Sequence, residues 1–192
     1  MNKKIVLSGI SIVTALTLLG GAVYAQFVVT ALASGNTFSS GTPALELCND
    51  TNGAIGDCNN TIPSPINVAD LIPGVPQTFA FWMDNSGTDP LSPLSAQFSG
   101  TTGTGAGGTG KLETDLAVAI DCTAGGTTNV GAVASAAFTT WESAAQTFTG
   151  GNALPAAGTA RCVLTVELPS GNTTDFAQAL SFNATFSGSD GQ

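Results

Sequence analysis

Short runs of alternating apolar and polar residues, each closed by a turn signal, constrain this chain more than any other feature. Residues 77–83 read Gln-Thr-Phe-Ala-Phe-Trp-Met and end at Asp84-Asn85-Ser86-Gly87. Residues 159–168 set Cys162, Leu164 and Val166 against Val163, Thr165 and Glu167, and Pro169 follows. Residues 44–48, 66–72, 112–122 and 179–186 alternate in the same way, and residues 91–98 continue extended, with Pro90 and Pro93 confining them to an edge or a bulge. Period two over four to eight residues is the signature of a half-buried strand. Residues 133–148 differ: Ala134, Ala137, Trp141, Ala144, Ala145 and Phe148 recur at three- and four-residue spacing, which predicts one short helix ended by Gly150-Gly151. Residues 99–110 are a Gly/Thr run that predicts a flexible loop. The expected fold is all-β: a jelly-roll-like two-sheet sandwich with one or two short helices in its connections.

The first residues do not belong to that pattern. Asn2, Lys3 and Lys4 precede an apolar run over residues 5–19, and Val23-Tyr24-Ala25 supplies a small-x-small site. This predicts a secretory signal helix over residues 1–25, cleaved between Ala25 and Gln26. The segment it releases, residues 26–34, is apolar on both faces: Phe27, Val29, Ala31 and Ala33 alternate with Val28, Thr30 and Leu32. A strand apolar on both faces is buried on both sides, and at an exposed edge it is a liability. It therefore pairs within its own domain or with another subunit. Residues 35–192 form the single sandwich domain.

Composition narrows the partners. Loss of residues 1–25 leaves 167 residues in which Lys111 and Arg161 stand against 13 carboxylates, a net charge of −11. Nucleic acid is excluded, because phosphate neutralisation needs Lys and Arg clusters, and anionic lipid surfaces repel such a chain. With charged residues at 9%, the polar surface must come from Thr, Ser, Asn and Gly. An even set of four cysteines in an exported chain predicts two disulfides. Three connectivities are open; a local Cys48–Cys58 bridge across a Gly/Asn/Asp loop is the simplest, leaving Cys122 and Cys162 to join two strands.

Catalytic constellations are missing. The chain has no histidine, G-x-S-x-G, H-E-x-x-H, P-loop or dinucleotide fingerprint, so histidine-dependent triads and a zinc site are excluded and no enzyme activity is expected. Two acidic loops offer oxygen ligands that suit calcium, one with Asp50, Asn52 and Asp57 and one with Asp84 and Asp89. Neither has the EF-hand spacing, and Asp and Asn are turn formers in any case. No other cofactor is expected. N-x-[ST] sequons stand at Asn49, Asn59, Asn172 and Asn183.

Two stretches carry a resemblance to a known family. One is Lys3-Lys4-Ile5 through Gly20-Gly21-Ala22, then Ala25-Gln26-Phe27, Gly35-Asn36-Thr37-Phe38-Ser39-Ser40-Gly41 and Leu45-Glu46-Leu47; the other is Val166-Glu167-Leu168-Pro169 with Asn172, Gln178, Phe182, Phe186 and Gln192. Between them lie Pro73-Gly74, Phe79, Phe81 and Asn85-Ser86-Gly87. In this order they resemble the TasA/camelysin (CalY) proteins, exported subunits of extracellular matrix fibres processed by a SipW-type signal peptidase. The resemblance implies a secreted jelly-roll subunit of a biofilm matrix. Such a subunit polymerises head to tail with copies of itself by donor-strand complementation, with an anchoring or minor matrix subunit as a further partner. The four cysteines and the near-absence of lysine depart from that family. A metalloprotease activity attributed to camelysin finds no ligand set here. The alternative is a monomeric secreted or surface sandwich that binds a glycan or a protein.

Overall fold

The structure, a computed structural model, describes residues 28–32, 44–58, 66–107, 111–172 and 178–190. The expected signal helix, the cleavage residues Ala25 and Gln26, and Phe27 and Ala33 of the N-terminal strand lie outside them.

Two antiparallel sheets face each other. The seven-stranded sheet has the order β10-β8-β7-β11-β5-β2-β3, and the five-stranded sheet has the order β1-β12-β6-β9 with β4 also on β12. Their long strands are the sequence's best alternating runs: β5 (Gln77–Asn85), β6 (Leu94–Thr102), β11 (Thr159–Glu167) and β12 (Leu180–Ser189). In β11, and in β12 as far as Gly188, every second residue is buried and its neighbours are partly exposed, the period-two pleat of a sheet with one face inward. The shorter strands are β1 (Val28–Leu32), β2 (Leu45–Thr51), β3 (Ala54–Ile55), β4 (Ile66–Val68), β7 (Ala117–Cys122), β8 (Gly131–Ala137), β9 (Gln146–Thr147) and β10 (Thr149–Gly150).

Both helices are short. α1 (Leu112–Asp115) buries Leu112, and α2 (Phe138–Ser143) buries Phe138 and Trp141. The two aromatics of α2 enter one end of the core. There Trp141 stacks on Phe98 at 4.9 Å with 10° between the rings, and Phe138 meets Phe182 edge-on at 4.9 Å. Phe81 and Phe186, one from each sheet, touch at 5.0 Å. Each such fully buried side chain stabilises the fold by roughly 1.5–3 kcal/mol relative to its exposed state.

Three local expectations change. The helix read over residues 133–148 shrinks to Phe138–Ser143, because residues 131–137 pair with β7 in the register Ala117↔Ala137 to Cys122↔Gly131. Alanine on its own favours a helix, and pairing with the edge of β7 overrides that preference here. Residues 112–115 form α1 where a continuous strand was expected. The Gly/Thr loop begins later than expected, since Thr101 and Thr102 still belong to β6. Among the described residues no helix is long and apolar enough to cross a membrane.

Candidate functional site: the edge of β12 and the clasp on the facing sheet

β12 holds the five-stranded sheet together. Leu180, Phe182, Ala184, Phe186 and Gly188 face the core, while Ser181, Asn183, Thr185 and Ser187 face outward, an uncharged polar row. One side of β12 is taken by β6, from Ser181↔Thr102 to Gly188↔Leu94. The other side is shared. β4 occupies Leu180–Phe182 (Leu180↔Val68, Phe182↔Ile66), and β1 occupies Thr185–Ser189 (Thr185↔Leu32, Ser189↔Val28). Both run antiparallel to β12, so they run in the same direction, end to end along one edge. Only Asn183 and Ala184 separate the two pairings. Val28, Val29, Thr30, Ala31 and Leu32 of the N-terminal segment are thus an edge strand on their own chain's β12.

The end of β12 at which β1 begins is tied down by a polar knot. Asn85 is fully buried, although amides rarely are. Its Nδ2 donates to the carbonyls of Asp89 (2.8 Å), Leu154 (3.1 Å) and Pro155 (3.0 Å), and its Oδ1 accepts from Gly87 N–H. Leu91 and Leu154 exchange backbone hydrogen bonds beside it, and Ser189 Oγ donates to Ser92 O. Replacing Asn85 by Ala removes the side-chain partner of Asp89 O and of Gly87 N–H, while Leu154 O and Pro155 O keep the N–H groups of Leu91 and Gly158. The expected cost is about 2–3 kcal/mol in urea denaturation. Asn85→Asp is expected to cost more, because it sets a carboxylate oxygen against three carbonyl oxygens.

The outer face of the other sheet carries a clasp. Trp82 points away from the core, yet it is only 7% exposed. In the pleat it lies between Arg161 of β11 and Cys48 of β2. The β2–β3 hairpin covers it, turning at Asn52-Gly53 with φ of 53° and 87°, the left-handed pair that an Asn-Gly hairpin turn needs. Asp50 Oδ1 accepts from Trp82 Nε1 (2.8 Å) and Arg161 Nε (2.8 Å), and Oδ2 accepts from Arg161 Nη2 (3.0 Å) and Gly53 N–H (3.2 Å). The Cys48–Cys58 disulfide closes the same loop. Hydrogen bonds from the only arginine, then from Trp82 and Gly53, outweigh desolvation and hold the Asp50 carboxyl down at about 2, below its ordinary 3.8. A lowered pKa stabilises the fold above the unfolded value and is lost as pH falls through about 2. Titrating stability from pH 5 to pH 2 is therefore expected to cost the native protein about 1–2 kcal/mol more than an Asp50→Asn variant, after allowance for solvent screening.

A carboxylate pair lies at the end of β6. Thr101 Oγ1 bonds Glu142 of α2, and Gly107 N–H bonds Glu113 of α1. Burial first, and the neighbouring Glu113, push the Glu142 carboxyl up, against the pull of the Thr101 hydrogen bond. Glu113 thus lies close enough to Glu142 to bias its protonation.

The acidic loops do not converge. Asp50 spends both oxygens on the clasp, Asn52 sits at the turn corner, and Asp57 and Asp89 lend backbone carbonyls to Asn49 N–H and Asn85 Nδ2. Asp84 faces Glu46 across β2 and β5, and burial, then Glu46, raise its carboxyl. Asp84 also lies within reach of Cys48 and Cys58, but those sulfurs are bonded to each other and are not free to bind a metal. The second disulfide joins Cys122 of β7 to Cys162 of the adjacent β11, with both residues wholly buried. Two disulfides fit an oxidising compartment outside the cytoplasm.

Sequence reasoning named the Asn85 motif, both cysteine pairs and the N-terminal strand, but missed the clasp. One signal for it was available: a lone arginine among 13 carboxylates has a partner worth finding. Comparisons with protein-family models, with curated proteins and with solved structures each return no match.

Proposed function

We propose that this protein is a secreted structural subunit that polymerises into extracellular matrix filaments by donating β1 to the next copy. The observation that carries the reading is the edge pairing of β1 on β12. It links the extreme N-terminal part of the described chain to a strand more than 150 residues away, by a register that needs no other covalent neighbour. The same five pairs are available between two chains. A strand given forward by each copy and received by the next is a head-to-tail contact that does not close, so it builds a filament. The likeness to TasA/camelysin proteins supports the same reading, with release of Gln26 by a SipW-type peptidase as the step that frees the strand. The finer jelly-roll connectivity draws support from strands β4 to β7, which alternate between the two sheets.

A second reading is favoured by one fact: β1 already completes its own sheet, as it does in a monomeric surface module that binds a glycan or protein. Negative-stain microscopy of purified residues 26–192 separates the two. Filaments support the subunit; a protein that stays monomeric at every concentration supports the module and overturns the filament reading.

A further inference from the structure

We infer that Asn52-Gly53 is a self-modification site, where the chain closes a succinimide on itself and loses ammonia, and that the Asp50 clasp holds this site shut. The inference is independent of the proposed exchange of β1.

The chemistry needs no partner but water. The main-chain nitrogen of Gly53 gives its proton to water and bonds to Cγ of Asn52. The Cγ–Nδ2 bond breaks, and the amide nitrogen takes up a proton from water and leaves as ammonia. A second water opens the ring at either carbonyl, giving aspartate or isoaspartate. Of the asparagines in the chain, only Asn52 precedes a glycine. A glycine nitrogen carries no Cβ on its own residue to hinder the closure. Residues 51–55 are exposed, and a Cβ placed on Gly53 would meet nothing within 4 Å, so water reaches both the nitrogen and the amide. The Asn52 side chain has no part in the hydrogen bonds of the clasp.

The clasp opposes this reaction at its first step. The nitrogen that must attack is the one that donates to Asp50 Oδ2 at 3.2 Å. While that bond lasts, the proton is not released to water, and the carboxylate charge beside it disfavours the amide anion. One exposed hydrogen bond of this length would open readily if its acceptor were free to turn. Here the acceptor is fixed: Arg161 Nε and Nη2, at 2.8 and 3.0 Å, and Trp82 Nε1, at 2.8 Å, all donate to the same carboxylate. Arg161 and Trp82 thus position the guard, and Asp50 is the guard. The hairpin has reason to need one. Isoaspartate adds a main-chain carbon to a two-residue turn, which the pairs Thr51↔Ala54 and Asp50↔Ile55 cannot absorb in their present register.

Peptide mapping by mass spectrometry reads the rate at residue 52, from the mass gain that turns an amide into an acid, in purified protein held at neutral pH and body temperature. Asp50→Ala is expected to convert about tenfold faster than the unaltered protein, the factor that one hydrogen bond to a charged acceptor supplies. Trp82→Phe removes one anchor but leaves the Gly53 bond, and its rate is expected to stay within about threefold of the unaltered protein. Near-UV circular dichroism checks the fold. Where Asp50→Ala disturbs it, Asp50→Asn takes its place, since it keeps the shape and gives up the charge and one acceptor oxygen. Equal rates in the unaltered protein and the folded Asp50 variant overturn the guard. So does a Trp82→Phe rate as high as that of the Asp50 variant, because loosening of the hairpin alone would then account for both. No conversion at residue 52 in any of these proteins overturns the site itself.

Discussion

Residues 26–192 carrying Thr30→Pro and Ala31→Pro are expected to remain folded and to form no filaments under conditions in which the unaltered protein does. Neighbouring residues of a strand point their N–H groups to opposite edges, so one of these two faces β12 whichever way the ladder begins. Proline has no N–H, and inside a strand it removes a ladder bond at a cost of about 1 kcal/mol for the bond alone. Its ring also constrains the preceding residue, so two in succession disturb most of a five-residue strand. The rest of the molecule keeps its core, which draws on β2, β4 to β8, β11, β12 and both helices. The readout is the pelleted fraction together with negative stain, with circular dichroism to confirm the fold. Filaments at undiminished yield would show that the backbone of β1 is not what joins the subunits.

Replacing Cys122 and Cys162 together by Ala is expected to cost about 4 kcal/mol in guanidinium denaturation, more than replacing Cys48 and Cys58, at about 3 kcal/mol. The difference follows from the unfolded chain. The first bridge spans 40 residues and the second spans 10, and a longer closed loop removes more conformational freedom when the chain unfolds. Burial adds to it: Cys122 and Cys162 lie inside the core beside Ile120 and Leu164, so truncation also leaves a void. Against a usual total of about 5–15 kcal/mol, losing the core bridge leaves a marginal domain. The reverse order of costs would mean that the Asp50 clasp depends on its disulfide far more than its hydrogen bonds suggest.

The strands that proved legible are those in which one face is buried along their whole length. In β11 and β12 the alternation Ala160, Cys162, Leu164, Val166 and Leu180, Phe182, Ala184, Phe186 leaves no other reading. The stretch 131–148 was ambiguous for a physical reason. Alanine satisfies period two and period 3.6 equally, and the choice was made by β7, which lies outside any local window. Residues 112–115 were read as strand because Leu112 and Leu116 have the right parity, but Leu116 N–H instead bonds Leu112 O in a single helical turn. The clasp and the shared edge of β12 depend on pairings across 111 residues or more, Asp50 with Arg161 and β1 with β12. Such partners leave only indirect traces in sequence: a solitary arginine in one case, and a segment apolar on both faces in the other.

The most direct measurement mixes two proteins, one carrying only Leu32→Cys and the other only Thr185→Cys, before assembly and oxidation. These positions are opposite one another in the ladder. In the mixture they can meet as an unlike pair only if the strand of one chain lies on the β12 of another. Exchange of β1 gives disulfide-linked dimers of unlike chains within the filaments. Filaments that contain no such dimers, while a single chain carrying both substitutions closes its own bridge, would contradict it.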